Sequence, residues 1–381
     1  MKLIRTFHPV GHGAFYTERF YDEQDNILFT AVFDCGCFEA AKPGCNAQFY
    51  EKQIATVIQK GFTKGDTIDV LFISHFHTDH INGVKFLLKY CDVKRIYIPI
   101  LTPRVILEAF LFNYIQTGSI NNVGNKLIEK FASGQIPNVT QIRTHRINKK
   151  EYRLEEVEIT QNNNKFLPSQ SKLCSANVSW TFIPFNLLEG QMNKLLYKRS
   201  PLKGLMRNRK VDFVKLRDFI TSTNISQLQQ IYKQALKVEH NSYSMTVLSY
   251  YSQYNPKNTQ YQIWWNNNII QNISLINCLY MGDFEANANY PKRNKNIENL
   301  KSYYTKKWKE IGLLQVPHHG SEHNYNDDLY DIQRLCIISH GDPDKYHHPD
   351  LRVVNGIQQH HCTPIDVTDK QQTKNEFSYT I

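Results

Sequence analysis

A segment that joins an apolar run to a cluster of polar side chains places the strongest constraint on the fold. Residues 70–73 read Val-Leu-Phe-Ile, which is typical of a strand buried on both faces. Residues 74–80 follow as Ser-His-Phe-His-Thr-Asp-His and contain three histidines and an aspartate in an H-x-H-x-D-H pattern. This arrangement predicts a site of concentrated chemistry at the end of a buried strand.

The spacing of these side chains favours metal binding. Alternate residues of an extended segment point to the same side, so His75 and His77 can bind one ion together. If the chain then turns into a helix, Asp79 and His80 can face a second ion nearby. Imidazole and carboxylate ligands suit zinc, with iron or manganese as alternatives. A histidine-rich surface turn is the alternative, but four such side chains directly after an apolar strand argue against it.

The remaining periodicity predicts a layered α/β arrangement in a single domain, residues 1–381. The strand at 67–74 is followed by a predicted helix at 84–90 and a strand at 93–98. Upstream we predict a strand at 3–10, a hairpin at 15–21 and 27–34, and a helix at 50–60. Downstream the pattern predicts helices over 104–135 and 295–311, and strands over 139–185, 244–251, 261–265, 276–281, 312–316 and 335–339.

Further motifs strengthen the metal interpretation. They are Val10-Gly11-His12-Gly13, Phe33-Asp34-Cys35-Gly36, Tyr280-Met281-Gly282-Asp283, Val316-Pro317-His318-His319-Gly320-Ser321 and Tyr346-His347-His348-Pro349. Together with the H-x-H-x-D-H pattern, they resemble the metallo-β-lactamase superfamily. The resemblance implies an αββα sandwich with a dinuclear metal site between its sheets. It most resembles the branch that contains the lactamase-like domain of the DNA-uptake channel protein and bacterial phosphorylcholine esterase.

The resemblance also implies a ligand set for two divalent ions, with zinc expected and manganese as the alternative. The predicted ligands are His75, His77, Asp79, His80, His240, Asp283 and His319, with Asp283 bridging the two ions. Two assignments stay open at this stage. Asn241 is the alternative to His240 beside the first ion, and His318 is the alternative to His319. Asp34 is predicted to orient the metal-binding histidines by hydrogen bonding.

Catalytic and substrate-binding roles are predicted for several other residues. Asp79 is expected to orient the nucleophile, and one of His318 and His348 to assist a phosphoryl oxygen or the leaving group. Glu285 lies two residues after Asp283, so both carboxylates share one face if the strand extends through it. The alternative for Glu285 is an exposed residue at the start of a helix.

Residues 190–237 form a predicted basic helical insertion that flanks the active site. Nine Lys and Arg residues occur between 194 and 217, against the single acidic residue Asp212. Lys203, Arg207 and Arg209 of this stretch are predicted to contact a phosphate-containing substrate. The alternative is a solvated helix face that has no partner.

These features favour a metal-dependent phosphodiesterase or nuclease that acts on nucleic acid or a nucleotide, and the formal net charge of +10 is compatible with such an anionic substrate. One alternative is a metal-dependent hydrolase of a carboxylic ester, lactone or amide. Another is a non-catalytic module that binds nucleic acid or protein, for example in a defence system. We expect a cytoplasmic protein that has no signal peptide and no transmembrane helix. The sequence does not determine the oligomeric state.

Overall fold

A computed structural model describes residues 1–39, 46–144, 156–169, 171–187, 201–207, 210–235, 244–253, 262–266, 268–270, 276–286 and 296–381. The strands are β1 Lys2–Phe7, β2 Gly13–Tyr21, β3 Ile27–Cys37, β4 Thr67–Ile68, β5 Val70–Phe72, β6 Asp92–Val93, β7 Ile96–Pro99, β8 Val139–Ile142, β9 Glu156–Glu158, β10 Phe166–Leu167, β11 Lys172–Ser175, β12 Trp180–Phe185, β13 Met206–Arg207, β14 Lys210–Val211, β15 Thr246–Tyr251, β16 Gln262–Trp265, β17 Asn268–Ile270, β18 Asn277–Tyr280, β19 Ile311–Gln315, β20 Leu335–Ser339, β21 Thr363–Val367 and β22 Asn375–Thr380.

The α-helices are α1 Ala47–Gly61, α2 Thr78–Ile81, α3 Val84–Tyr90, α4 Pro103–Thr117, α5 Val123–Ser133, α6 Phe213–Ser222, α7 Ile225–Ala235, α8 Asn296–Tyr304 and α9 Leu351–Gln359. Short 3-10 helices cover Pro201–Leu205, Thr305–Glu310, Pro317–Gly320, Glu322–Asn324, Asp327–Tyr330 and Gln371–Thr373. In the part of the chain that the structure describes, no helix is both long and apolar enough to span a membrane.

Two large sheets form the centre of the fold. The described strands of the first sheet run in the order β10-β8-β7-β5-β3-β2-β1-β22-β16-β17. Those of the second run in the order β21-β20-β19-β18-β15-β12-β11-β9. Strand β5 pairs in parallel with β3 and β7, and β19 pairs in parallel with β18 and β20. The carboxyl ends of parallel strands share one edge of their sheet, which is the usual place for a site in such folds.

Aromatic side chains fill the space between the two sheets. Phe33 on β3 stacks on Tyr280 of β18 with 3.6 Å between the ring centroids. Farther along the same interface, Phe72 lies 5.5 Å from Phe182, and Phe20 lies 5.1 Å from Trp180. Each such side chain contributes about 1.5–3 kcal/mol when it leaves water, so this interface stabilises the packing of the two sheets.

Helices cover the outer face of each sheet. Ile54 and Ile58 of α1 belong to an apolar cluster that includes Leu71 of β5. On the second sheet, Leu300 of α8 and Ile357 of α9 are part of a cluster behind β19 and β20. The order helix, sheet, sheet, helix confirms the αββα sandwich that the sequence predicted.

Helices α6 and α7 pack against α4 through an apolar cluster of their own. Its buried members are Leu107, Phe110, Leu111, Leu202, Leu205, Leu216, Ile220, Leu228 and Tyr232. Helix α4 has well-defined ends, since Thr102 caps its first turn by accepting from Val105 N, and Gly118 ends it in the left-handed conformation with a φ of 66°. Helices α6 and α7 lie within the predicted 190–237 insertion, whose extent and basic surface remain predictions.

Some predicted elements differ from the observed ones in length. The strand expected at 67–74 is divided into β4 and β5, and the helix expected at 295–311 consists of α8 followed by a 3-10 helix. Strand β18 ends at Tyr280, so the condition under which Asp283 and Glu285 would share one strand face is not met. Hydrophobic periodicity locates an element better than its end, because local turns decide where the pairing stops.

Candidate metal centre

The residues of the H-x-H-x-D-H motif meet the later motifs where strands of both sheets end. His75 follows β5, Asp283 follows β18, and His319 follows β19. The short helix α2 begins at Thr78 and turns Asp79 and His80 toward the same place. All of these side chains except that of Asp79 are almost completely buried, so a polar cluster lies between two hydrophobic sheets.

The carboxylate of Asp283 lies between two groups of side chains. Its Oδ1 atom is 3.1 Å from Nε2 of His80 and 3.9 Å from Nε2 of His319. Its Oδ2 atom is 3.4 Å from Nε2 of His75. Two sets of potential ligand atoms therefore share Asp283, and within each set all atoms lie within 4.8 Å of one another. One set is Asp79, His80, Asp283 and His319, and the other is His75, His77 and Asp283.

Asp34 and Ser74 fix the orientation of two of these histidines. Asp34 Oδ2 accepts hydrogen bonds from Nδ1 of His80 at 2.9 Å and from Oγ of Ser74 at 2.7 Å. Because the Ser74 hydroxyl donates to Asp34, Nδ1 of His75 donates to Ser74 Oγ, which is 3.0 Å away. The neutral forms of both imidazoles then direct an Nε2 lone pair toward Asp283. Asp34 thus lies in hydrogen-bond contact with the histidine cluster, as expected of a residue that orients it.

The two histidines of the His-His-Gly-Ser motif have different surroundings. His319 is buried and donates from Nδ1 to the Ser339 carbonyl at 2.9 Å, so its Nε2 atom faces Asp79 Oδ2 at 3.1 Å. His318 is partly exposed and donates from Nδ1 to Asn324 Oδ1 at 2.8 Å. Its Nε2 atom is 3.9 Å from Asp283 Oδ2. Both residues have a positive φ, 51° and 56°, which directs the two neighbouring rings to different sides of Asp283.

The donor set fits divalent metal ions. Among the described residues, Nε2 of His75, Nε2 of His80 and Oδ1 of Asp283 are buried atoms that have no hydrogen-bond partner. Since Nδ1 of His80 carries the proton, Nε2 and the carboxylate oxygen 3.1 Å away both present lone pairs. Two such acceptors repel each other unless a cation or a proton lies near both. Histidine nitrogens with carboxylate oxygens are ligands that zinc and manganese accept.

The electrostatics of the cluster agree with this interpretation. Burial lowers the pKa of His75 to about 4, so its ring is neutral and able to bind a metal at neutral pH. Burial also acts to lower the pKa of His80, but Asp283, Asp79 and Asp34 outweigh it and raise that pKa well above its usual value. Without an ion, His80 therefore holds a second proton on Nε2, and a metal ion would take the place of that proton. Asp283 keeps a low pKa despite its burial, because His80 and His318 stabilise its charge. The carboxylate is therefore ionised.

His77 is oriented in the opposite way to the other histidines. Its Nε2 atom lies 3.2 Å from Oε1 of Glu108, a buried residue of α4. Because a carboxylate accepts, Nε2 donates, and the lone pair of the neutral ring is at Nδ1. Burial alone would lower the pKa of His77, but Glu108 raises it. The ring also stacks on Phe112, with 3.9 Å between the centroids.

Aromatic and imidazole rings surround the mouth of the cluster. His12 lies 4.0 Å from the ring of His319, and its Nδ1 atom donates to Asp344 Oδ2 at 2.9 Å. Tyr346 lies 5.1 Å from His12, and His348 lies 6.0 Å from both His12 and His318. Burial, together with the neighbouring histidines, lowers the pKa of His348 to about 3, so this ring is neutral.

Two glycines permit the close approach of the segments that form the cluster. A Cβ atom on Gly36 would lie 2.5 Å from the Asp79 carbonyl oxygen. A Cβ atom on Gly282 would lie 2.5 Å from Oγ of Ser74, and Gly282 also has a φ of 54°, which favours glycine. The Asp34-Cys35-Gly36 and Gly282-Asp283 motifs thus let the two sheets bring their ligands together.

Most of the predicted site residues lie together in the structure, and some fall outside its description. His75, His77, Asp79, His80, Asp283 and His319 form the two donor sets, with Asp34, His318 and His348 around them. His240, Asn241 and Arg209 lie outside the described residues, as do the side chains of Lys203 and Arg207. Glu285 lies after the end of β18, where its carbonyl accepts from Asn296. Its predicted contact with substrate remains a prediction.

Glu108 and the pairing of His12 with Asp344 were not predicted from the sequence. A signal for Glu108 was present, since it is the single charged residue in the apolar stretch 105–112 of α4. A carboxylate in such a stretch is buried only when it has partners. Asp344 carried no comparable signal, because it lies in a polar loop that is distant from His12 in the sequence.

Comparison with known protein families identifies the fold to which these motifs belong. Residues 22–147 match the family model of the metallo-β-lactamase superfamily. The chain contains a metallo-β-lactamase superfamily domain. The matched residues include Asp34 and the H-x-H-x-D-H motif, whereas Asp283 and His319 lie beyond them. The superfamily and the His/Asp cluster together support a metal-dependent hydrolase, and the predicted branch within the superfamily stays a prediction.

Comparison with solved structures gives remote similarities to metallo-β-lactamases. MEM-A1, a subclass B3 enzyme from a soil metagenome library, is 12% identical, with a TM-score of 0.31 over 85% of this chain and 80% of its own. MIM-1 from Novosphingobium pentaromativorans is 12% identical, with a TM-score of 0.31 over 86% of this chain and 78% of its own. No curated protein matches the chain significantly.

Proposed function

We propose that this metallo-β-lactamase superfamily domain hydrolyses phosphodiesters with two divalent ions, with zinc the expected metal and manganese the alternative. The observation that carries the proposal is the position of Asp283, whose Oδ1 and Oδ2 atoms face different sets of donors. A carboxylate in this position can bridge two ions. When bound, such ions make hydroxide available from water near neutral pH and neutralise charge on a phosphoryl oxygen.

The roles of the surrounding residues follow from their hydrogen bonds and exposure. The side chain of Asp79 is 13% exposed and that of Asp283 only 3%, so Asp79 is the carboxylate that can orient an incoming water. His318 is 31% exposed and holds a lone pair at Nε2, because its Nδ1 atom donates to Asn324. It can therefore accept the proton that the attacking water releases.

His348 completes the proposed catalytic group. It lies at the mouth of the cluster, 6.0 Å from the ring of His318. Its Nδ1 atom is buried and has no hydrogen-bond partner among the residues that the structure describes. A neutral imidazole in this position suits hydrogen bonding to a phosphoryl oxygen or to the oxygen of the leaving group.

The choice of a phosphodiester is supported by charge. The chain has a formal net charge of +10, and nine Lys and Arg residues lie between 194 and 217 of its predicted insertion. Such a charge attracts polyanionic substrates such as nucleic acid and nucleotides. Contacts from Lys203, Arg207 and Arg209 to the substrate are part of the proposal.

The proposal is tested by hydrolysis of bis(p-nitrophenyl) phosphate and of a generic oligonucleotide after metal removal and reloading with zinc or manganese. We expect turnover in the wild type and none above background in a His77→Ala/Asp79→Ala double variant. The matched control is His360→Ala/Asp327→Ala, which removes a histidine and an aspartate that pair at 3.3 Å on the surface. This control should retain the full rate, and activity that persists in the site variant would refute the proposal.

A parallel panel of p-nitrophenyl carboxylic esters, a lactone and an amide distinguishes the alternatives. Turnover of these substrates with no cleavage of phosphodiesters would assign the metal site to carboxylic derivatives. Tight oligonucleotide binding, with less than one ion per chain and no turnover, would assign the chain to the non-catalytic class.

A further inference from the structure

Two hydrogen bonds in series connect helix α7 with the loop that contains His77. Tyr232 of α7 donates its hydroxyl hydrogen to Oε1 of Glu108 at 2.9 Å. The same oxygen is 3.2 Å from Nε2 of His77. Tyr232 is 6% exposed, Glu108 3% and His77 4%, so the series is closed to bulk water. A buried carboxylate is costly unless donors surround it, and these two donors contact one of its oxygens directly.

Helix α4 holds the loop at further points around His77. Asn113 Oδ1 accepts from the backbone nitrogen of Thr78 at 2.9 Å, and Asn113 Nδ2 donates to the carbonyl of Phe76 at 3.0 Å. Phe112, one turn after Glu108, covers the face of the His77 ring. The backbone on both sides of His77, one ring face and one ring nitrogen are thus all fixed by a single helix.

The contact with Glu108 determines which nitrogen of His77 is available to a metal. The Nε2–H group donates to Glu108, so the lone pair is at Nδ1, whereas His75, His80 and His319 present Nε2. A carboxylate partner also makes the imidazole a stronger ligand and restricts rotation of the ring.

We propose that Glu108 is a positioning residue for His77 and that Tyr232 holds Glu108 in this role. The inference rests on the proposed function only in that His77 binds an ion. It gives α7 a defined contribution to the site that does not depend on the basic charge of the predicted insertion. Because binding and conformation are reciprocally linked, an ion at His77 should in turn stabilise the contact between α4 and α7.

The test is an equilibrium titration of the metal-free protein with zinc alone, in competition with a chelating dye. We expect Glu108→Gln to lower the zinc affinity of the site that contains His77 by roughly 10–100-fold. A loss of this size is typical when a metal-binding histidine loses its carboxylate partner. Tyr232→Phe removes one oxygen and should weaken binding by a smaller factor. In the Glu108→Gln background, the Tyr232→Phe change should have no further effect, because its only proposed route is through Glu108.

Tyr114→Phe is the matched control. Tyr114 is on α4 and packs against the apolar cluster that contains Tyr232. Its change to Phe also removes a single phenolic oxygen. Its zinc affinity should equal that of the wild type. As a second measurement, the imidazole nitrogen NMR shifts of zinc-loaded protein should show Nε2–H at His77, with this signal altered in Glu108→Gln and unchanged in Tyr114→Phe.

The outcomes separate this inference from the proposed function. A wild type that binds neither zinc nor, in the same titration, manganese would refute the proposed function and with it the inference, which needs an ion at His77. A wild type that binds zinc, with Tyr232→Phe and Glu108→Gln binding it equally well, would overturn the inference alone. Loss of one whole ion in Glu108→Gln would make Glu108 a direct ligand and also overturn it. If Glu108→Gln does not fold, Tyr232→Phe decides, and a zinc affinity equal to that of Tyr114→Phe refutes the inference.

Discussion

Two groups of buried polar side chains lie between the sheets of this metallo-β-lactamase superfamily domain, and they are satisfied in different ways. In the first, Glu18 Oε1 accepts from Arg5 Nε at 2.7 Å and from Tyr280 at 2.9 Å, and Oε2 accepts from Ser249 at 2.7 Å. One Arg5 nitrogen, Nη2, has no hydrogen-bond partner in the described part of the chain, and the guanidinium lies 5.3 Å from the ring of Tyr379. Charge and counter-charge are both supplied by the protein.

The second group is the metal cluster, in which imidazole nitrogens and carboxylate oxygens that can each accept a hydrogen bond face one another. The Nε2 atoms of His75 and His80 point at the carboxylate of Asp283 and form no hydrogen bond with it. The positive charge that satisfies these acceptors is either a second proton on His80 or a bound metal ion. Burial of charge therefore does not by itself mark a functional site. A functional site is indicated where hydrogen bonds fix the orientation of polar side chains and several of their acceptor atoms converge on one point.

The buried Arg5–Glu18 pair should be important for the stability of the metal-free protein. Glu18→Gln removes the counter-charge and leaves Arg5 buried, so we expect a loss of about 3–5 kcal/mol in the free energy of unfolding. Urea unfolding of the metal-free protein measures it. If Glu18→Gln folds, its zinc affinity should equal that of the wild type, because no metal ligand is changed.

The control for this prediction is Glu322→Gln. Glu322 pairs with Arg352 at 2.7 Å, but the two side chains are 49% and 61% exposed. An exposed pair of this kind is worth at most about 1 kcal/mol. Equal losses in the two variants would show that the buried pair has no special role.

The metal cluster should behave in the opposite way, since its stabilisation depends on an added ion. With free zinc at about 100 times its dissociation constant, binding adds about 2.7 kcal/mol to the free energy of unfolding. Asp283→Asn should abolish most of this increment, measured as the difference between unfolding with zinc and with chelator. Asp327→Asn, on the surface, should leave it intact. An increment that survives in Asp283→Asn would remove Asp283 from the ligand set.

His8 is a buried histidine that belongs to neither group. It contacts the Thr17 hydroxyl at 3.0 Å through Nε2 and stacks on Phe15. Burial, with Lys374 and Arg19 nearby, lowers its pKa to about 3, so the folded protein holds it neutral. The unfolded chain takes up a proton at a pKa of about 6.5, and stability that is present above that pH is lost as the pH falls toward 3.

Between pH 7 and pH 5 this linkage should cost the wild type about 2 kcal/mol of unfolding free energy. His8→Gln keeps a polar group near Thr17 and does not titrate, so its stability should fall less over the same interval. Chemical unfolding at several pH values, in the presence of chelator, gives the two curves. Parallel curves for the variant and the wild type would contradict the prediction.

The sequence was sufficient to predict the sandwich and most of the cluster. The ligands from His75 to His80 lie within six residues, so strand and helix periodicity alone place them together. Asp34, Asp283 and His319 came from motifs that resemble those of the superfamily, and the structure brings them to the same strand ends. Glu285 shows the limit, because strand alternation says nothing about its side chain once the strand ends at Tyr280.

The local chemistry is therefore encoded in short segments of the sequence: an apolar strand, the histidines and aspartate that follow it, and the glycines that allow close approach. The orientation of those groups depends on tertiary packing. Glu108 reaches His77 only because α4 packs over the loop, and Tyr232 reaches Glu108 from a helix more than a hundred residues away. Contacts between segments so distant depend on the packing of whole elements, and no local pattern of residue types encodes them.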